Sequence, residues 1–102
     1  MIRKGTTPTF KLILDDESVD LTQARNVYAT FKQNQNEITK TGEDIAISER
    51  EVDVYLNQTE TLSFTYGKIE IQLNWTYGNN ERACSNIVTV NIANNLIERV
   101  LE

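Results

Sequence analysis

Histidine is missing from this chain, and Cys84 is its one cysteine. Those two facts bound what the side chains can do. Without histidine the commonest general base and metal ligand is gone, and no Cys–His nucleophile pair can form. A single thiol also excludes a multi-thiolate metal site and a disulfide within the chain. Reaction chemistry is left to Asp, Glu and Lys, and no pair of these is tied to a recognisable catalytic motif. The chain therefore reads as a non-enzymatic protein with no cofactor and no metal.

The densest carboxylate group is Asp15, Asp16, Glu17 and Asp20. It lacks the loop glycine and the ordered ligand spacing of a calcium-binding EF-hand, so these residues read as a solvated turn. Strand parity puts Cys84 indoors beside Trp75, where a thiol behaves as a small hydrophobe. Asn57-Gln58-Thr59 and Asn74-Trp75-Thr76 match the glycosylation acceptor pattern. No secretion signal accompanies them, so both read as coincidences of an Asn- and Thr-rich chain.

Contact chemistry is better represented. Tyr28, Tyr55 and Tyr66, with Asn and Gln nearby, are expected on outer faces of strands. Exposed aromatics among amides suit recognition of protein or sugar, and equally suit an ordinary outer sheet face. Leu96, Ile97, Val100 and Leu101 recur at helical spacing, and Asn95 stands three residues before Glu98 in a capping-box pattern. That spacing predicts a short helix over 94–102. A helix so short is marginal alone, so its apolar face must cap the domain's own core or dock on another chain.

The elements that position these residues are mostly strands. In Gly67 to Glu81, the residues Ile69, Ile71, Leu73, Trp75 and Tyr77 alternate with polar ones, the period of a strand with one buried face. Gly78-Asn79-Asn80 supplies turn residues that tolerate positive φ. A two- or four-residue turn pairs Trp75 with Cys84, Ile71 with Val88 and Ile69 with Val90, burying the apolar positions together. A three-residue turn pairs Trp75 with Ala83 and is rejected on that ground.

Upstream, residues 1–8 read as an arm. Strands follow around Phe10, Leu12 and Leu14, then Val27, Ala29 and Phe31, with small Ala29 leaving room for Trp75. Shorter strands are expected at 37–40, at Ile45 and Ile47, and at Val52, Val54 and Leu56. Asn57 and Glu60 form a capping box, so 58–63 is expected to be one helical turn crossing between sheets, with Leu62 and Phe64 in the core. About seven short strands spaced by turns describe a single domain, 1–102. The expected fold is all-β, an immunoglobulin-like antiparallel β-sandwich.

A length of 102 residues, 39% hydrophobic and 25% charged, fits one globular domain with its own core. The net charge is −5 with basic residues scattered, so no nucleic-acid surface is expected. No apolar run is long enough to span a membrane. The opening MIRKGTTPTF has basic residues but no apolar segment behind them, so Sec-type secretion is not expected.

Four segments carry a resemblance. IRKGTTPTFKL, VYLNQTETLSF, GKIEIQLNWTYGNNERACSNIVTVNI and LIERVLE resemble small proteins encoded near tail genes in phages and prophages of Gram-positive gut bacteria. VDLTQARNVYATFKQ resembles the N-terminal immunoglobulin-like domain of phage baseplate upper proteins, which anchors receptor-binding proteins to the tail. The resemblance implies a tail- or baseplate-associated structural or adaptor protein. Its expected partners are other tail proteins or symmetric copies of itself. It would reside in the host cytoplasm during assembly and then in the virion. Two other classes compete: a small inhibitor or host-defence antagonist with a nucleic-acid-like acidic surface, and a carbohydrate-adhesion module using Tyr28 and Tyr55.

Overall fold

In the computed structural model, all 102 residues are described and two β-sheets face each other. The strands are β1 (Ile2–Arg3), β2 (Thr9–Ile13), β3 (Asn26–Gln33), β4 (Asn36–Thr41), β5 (Ile45–Ile47), β6 (Glu51–Tyr55), β7 (Gly67–Thr76), β8 (Arg82–Cys84) and β9 (Val88–Ala93). The larger sheet runs β1-β9-β7-β3-β4, with β8 also on β7, and the smaller runs β2-β6-β5. The fold is an all-β sandwich, antiparallel throughout except where β1 pairs parallel with β9. Nine strands stand where about seven were expected. The supposed arm contributes one, and the return strand of the main hairpin is broken in two.

The period-two reading of β7 holds residue by residue. Ile69, Ile71, Leu73 and Trp75 are buried, and the polar residues between them are not. The partner β3 buries Val27, Ala29 and Phe31, with Val27 opposite Trp75 and Ala29 opposite Leu73. From the smaller sheet, β6 contributes Val52 and Val54, and Leu56 follows them into the core. Phe10 of β2 meets Phe31 of β3 with ring centroids 5.3 Å apart, an aromatic contact between the layers. Each fully buried side chain of this size contributes about 2 kcal/mol of transfer free energy.

The chain changes sheets four times, and the last three changes each pass through one helical turn: Leu21–Gln23, Gly42–Asp44, and the α-helix α1 at Gln58–Leu62. The capping box that starts α1 is formed at both ends. Glu60 N–H donates to Asn57 Oδ1 at 2.8 Å, and Asn57 N–H donates to Glu60 Oε1 at 2.9 Å. The other Glu60 oxygen takes Lys40 Nζ at 2.6 Å and so fastens α1 to β4. Phe64 fills the core as expected, but Leu62 is only half-buried and Thr61 lies fully inside instead.

The main hairpin corrects the expected register. Its turn is the rejected three-residue one: Asn80 N–H donates to Tyr77 C=O at 3.1 Å, and Asn80 takes φ of 69°. Trp75 therefore faces Ala83, and Cys84 pairs with Asn74 on the outer side, exposed. The expected pairs return beyond the break, with Ile71 opposite Val88 and Ile69 opposite Val90. A one-residue bulge at 85–87 reconciles the two registers. Ser85 holds it, donating its N–H to Leu73 C=O and accepting Leu73 N–H on Oγ, both at 2.9 Å. Parity would put Cys84 indoors only along an unbroken return strand, and this one changes register between Cys84 and Val88. Val88 was expected in the core and is 49% exposed, because the smaller sheet does not extend over it.

Candidate functional site

One end of the sandwich gathers the N-terminal strand, α1 and residues 94–102. The helix expected over 94–102 is not formed; the segment is irregular. Half of its capping box exists, since Asn95 N–H donates to Glu98 Oε2 at 2.9 Å. The other half is lost because Asn95 Nδ2 turns to the Lys4 carbonyl at 3.2 Å. With its cap residue committed to β1's neighbour, a segment this short has too little cooperativity to hold a helix.

Instead the tail is strapped to the domain. Lys4 Nζ reaches Glu98 Oε1 at 3.4 Å. At the far end, the Gln58 side-chain amide behaves like a neighbouring strand. Its Oε1 accepts Leu101 N–H at 2.7 Å, and its Nε2 donates to Leu101 C=O at 2.9 Å. The hydrogen bond from Asn95 N–H, seconded by Lys4, holds the Glu98 carboxyl below the usual glutamate range.

Thr61 wires the same end from inside. Its hydroxyl accepts Gly5 N–H at 3.0 Å and donates to Thr6 C=O at 2.7 Å. Gly5 itself has φ of 84°, and a Cβ there would meet Leu62 Cδ2 at 3.4 Å. A side chain at this position would strain the backbone, while its Cβ would come no nearer to α1 than ordinary contact.

The strap leaves its apolar side chains outside. Leu96 is completely exposed, and Ile97, Val100 and Leu101 are about half exposed. These four do not cap the domain's own core as a helix would. They form a surface of apolar side chains on backbone that hydrogen bonds hold in place.

No family model, curated protein or solved structure matches the chain. Its geometry alone thus speaks for its sites.

The remaining expected residues separate. Tyr28 lies on the outer face of β3, beside inward Val27 and Ala29, and Tyr55 lies on the outer face of β6, beside inward Val54. Those faces belong to different sheets and point in opposite directions, so the two tyrosines form no common platform. Tyr66 is exposed in the connection before β7.

The acidic residues serve the turns they occupy. Asp16 Oδ1 accepts the N–H and hydroxyl of Ser18, at 2.9 and 2.6 Å, and these bonds hold its carboxyl below the ordinary range. Asp20 caps the turn at Leu21–Gln23 by accepting Thr22 N–H at 3.0 Å. No group of three metal-ligating side chains is brought together. Sequence reasoning missed Gln58, Thr61 and Gly5. Only Gly5 carried a signal, since glycine is the residue that takes positive φ without steric cost.

Proposed function

We propose that this protein is a non-enzymatic structural or adaptor module of a phage tail or baseplate, working through protein–protein contacts. The observation that carries this reading is the strapped C-terminal segment. Apolar side chains on mobile chain would lose conformational freedom on binding, whereas these are already tethered at Lys4 and Gln58. Leu96, Ile97, Val100 and Leu101 then act as anchors for a neighbouring tail protein or a symmetric copy. The phage setting comes from the resemblance of the quoted segments.

The test is assembly. Size-exclusion chromatography with light scattering is run on the protein alone over a concentration series and with purified tail proteins of the same phage. Self-association or co-elution is expected, and is expected to vanish in a Leu96→Asp/Val100→Asp variant whose circular dichroism is unchanged. A monomer that co-elutes with none of them would overturn the reading.

A further inference from the structure

At the opposite end the larger sheet has no cover over part of its inner face. A groove of about 780 Å³ lies there, beyond the free edge of β2. Its floor includes Ala83 and the exposed Val88, with the buried Trp75 beneath, its wall is formed by Lys11 to Leu14, and Asp15 and Asp16 stand at its end.

The β2 backbone facing this groove is unpaired. Leu14 N–H bonds to Arg50 C=O at 2.8 Å and Leu56 N–H to Pro8 C=O at 3.1 Å, so the even-numbered residues of β2 point to β6. Alternation directs the N–H and C=O groups of Thr9, Lys11 and Ile13 the other way, toward the open side. No strand of the smaller sheet lies beyond β2. Proteins ordinarily guard such an edge with charge, proline or a bulge. Here the one lysine, Lys11, is turned to Glu51 at 3.7 Å, and residues 9–13 contain no proline.

We propose that this groove receives an extended strand of a partner protein, which completes the smaller sheet by pairing antiparallel with β2. Both existing pairs of that sheet are antiparallel. Alternate apolar side chains of the incoming strand cover Ala83 and Val88, above the buried Trp75, while its backbone bonds to Thr9, Lys11 and Ile13. Because β2 runs toward Asp15 and Asp16, the N-terminal end of an antiparallel strand arrives beside them. That end therefore carries a basic residue. Charge also selects a foreign strand over a second copy, since each copy brings a net charge of −5 to the encounter. The groove and the C-terminal strap lie at opposite ends of β7, so this site goes beyond the adaptor surface and is tested apart from it.

The experiment titrates ¹⁵N-labelled protein with an end-blocked seven-residue peptide, lysine followed by alternating valine and threonine. Two further peptides carry glutamate in place of lysine, or N-methyl groups on alternate backbone nitrogens. Expected shifts fall on the amides of Lys11 and Ile13, on Val88 and on the Trp75 indole. The glutamate peptide is expected to bind about fivefold more weakly, and the N-methylated one not at all. Lys11→Pro removes an outward N–H without touching the bonds to β6 and should abolish binding. Ala83→Arg, which fills the floor, should do the same by an independent route. The proposal is overturned by silence up to low-millimolar peptide, by equal binding of all three peptides, or by shifts confined to 94–102. It is overturned equally if concentrating the protein alone produces the β2 shifts, which would give the groove to a second copy.

Discussion

The two ends of this sandwich are built from opposite solutions to the same problem. Around α1, three separate parts of the chain converge, and their polar groups find one another: Thr61 with Gly5 and Thr6, Gln58 with Leu101, Asn95 with Lys4. Around the β7–β8 hairpin the larger sheet outruns the smaller one. Val88 and Ile87 are half exposed there, and the β2 edge has no neighbour. A closed end is stabilised by pairing its polar groups, and those that are part-buried, as at Thr61, are costly when left alone. An open end keeps surface that another chain can use.

The contrast is broken most severely at Phe64. Phe64→Ala, at the closed end, is expected to lower unfolding free energy by about 3–5 kcal/mol. Val88→Ala, at the open end, should stay within about 0.5 kcal/mol, as solvent-facing substitutions do. Urea denaturation of both variants checks the pair, and comparable losses would mean the ends are equally closed.

A smaller effect is expected at Thr61. Thr61→Val keeps the shape but strands the Gly5 N–H and the Thr6 carbonyl, at a cost of about 2 kcal/mol. Thr61→Ser should recover most of it, since the hydroxyl is what both backbone groups require. Rapid hydrogen exchange at the Gly5 amide in the valine variant, and slow exchange in the serine one, would sharpen the assignment.

The mildest perturbation is acid. Glu98 has its carboxyl held below the ordinary range in the folded chain, so its contribution is complete above that range and is lost as pH falls through the folded value. The strap is therefore expected to loosen as pH falls below the usual glutamate range, seen as amide shifts and faster exchange at residues 95–98. Glu98→Gln should loosen it at neutral pH and remove the acid dependence. An unchanged acid profile in that variant would assign the effect to another carboxyl.

Legibility followed the range of the interactions involved. The alternation in β7 and β3 was readable because each position's fate depends on its own polarity. The α1 capping box was readable because Asn57 and Glu60 are three residues apart and satisfy each other. The same pattern at Asn95 and Glu98 misled, because Lys4, ninety-one residues away, offered Asn95 a competing carbonyl. Parity misled at Cys84 because the bulge at Ser85 inserts a residue that no periodicity announces.

By itself, then, the chain's order of polar and apolar residues determined that it forms strands, which faces turn inward, and that its chemistry excludes histidine-based catalysis. Tertiary structure alone decided the hairpin register, the exposure of Cys84 and Val88, the strapping of 94–102 and the open groove beside β2. Each of those depends on which distant backbone groups and how much opposing sheet a residue meets, and proximity across the fold is not written in local spacing.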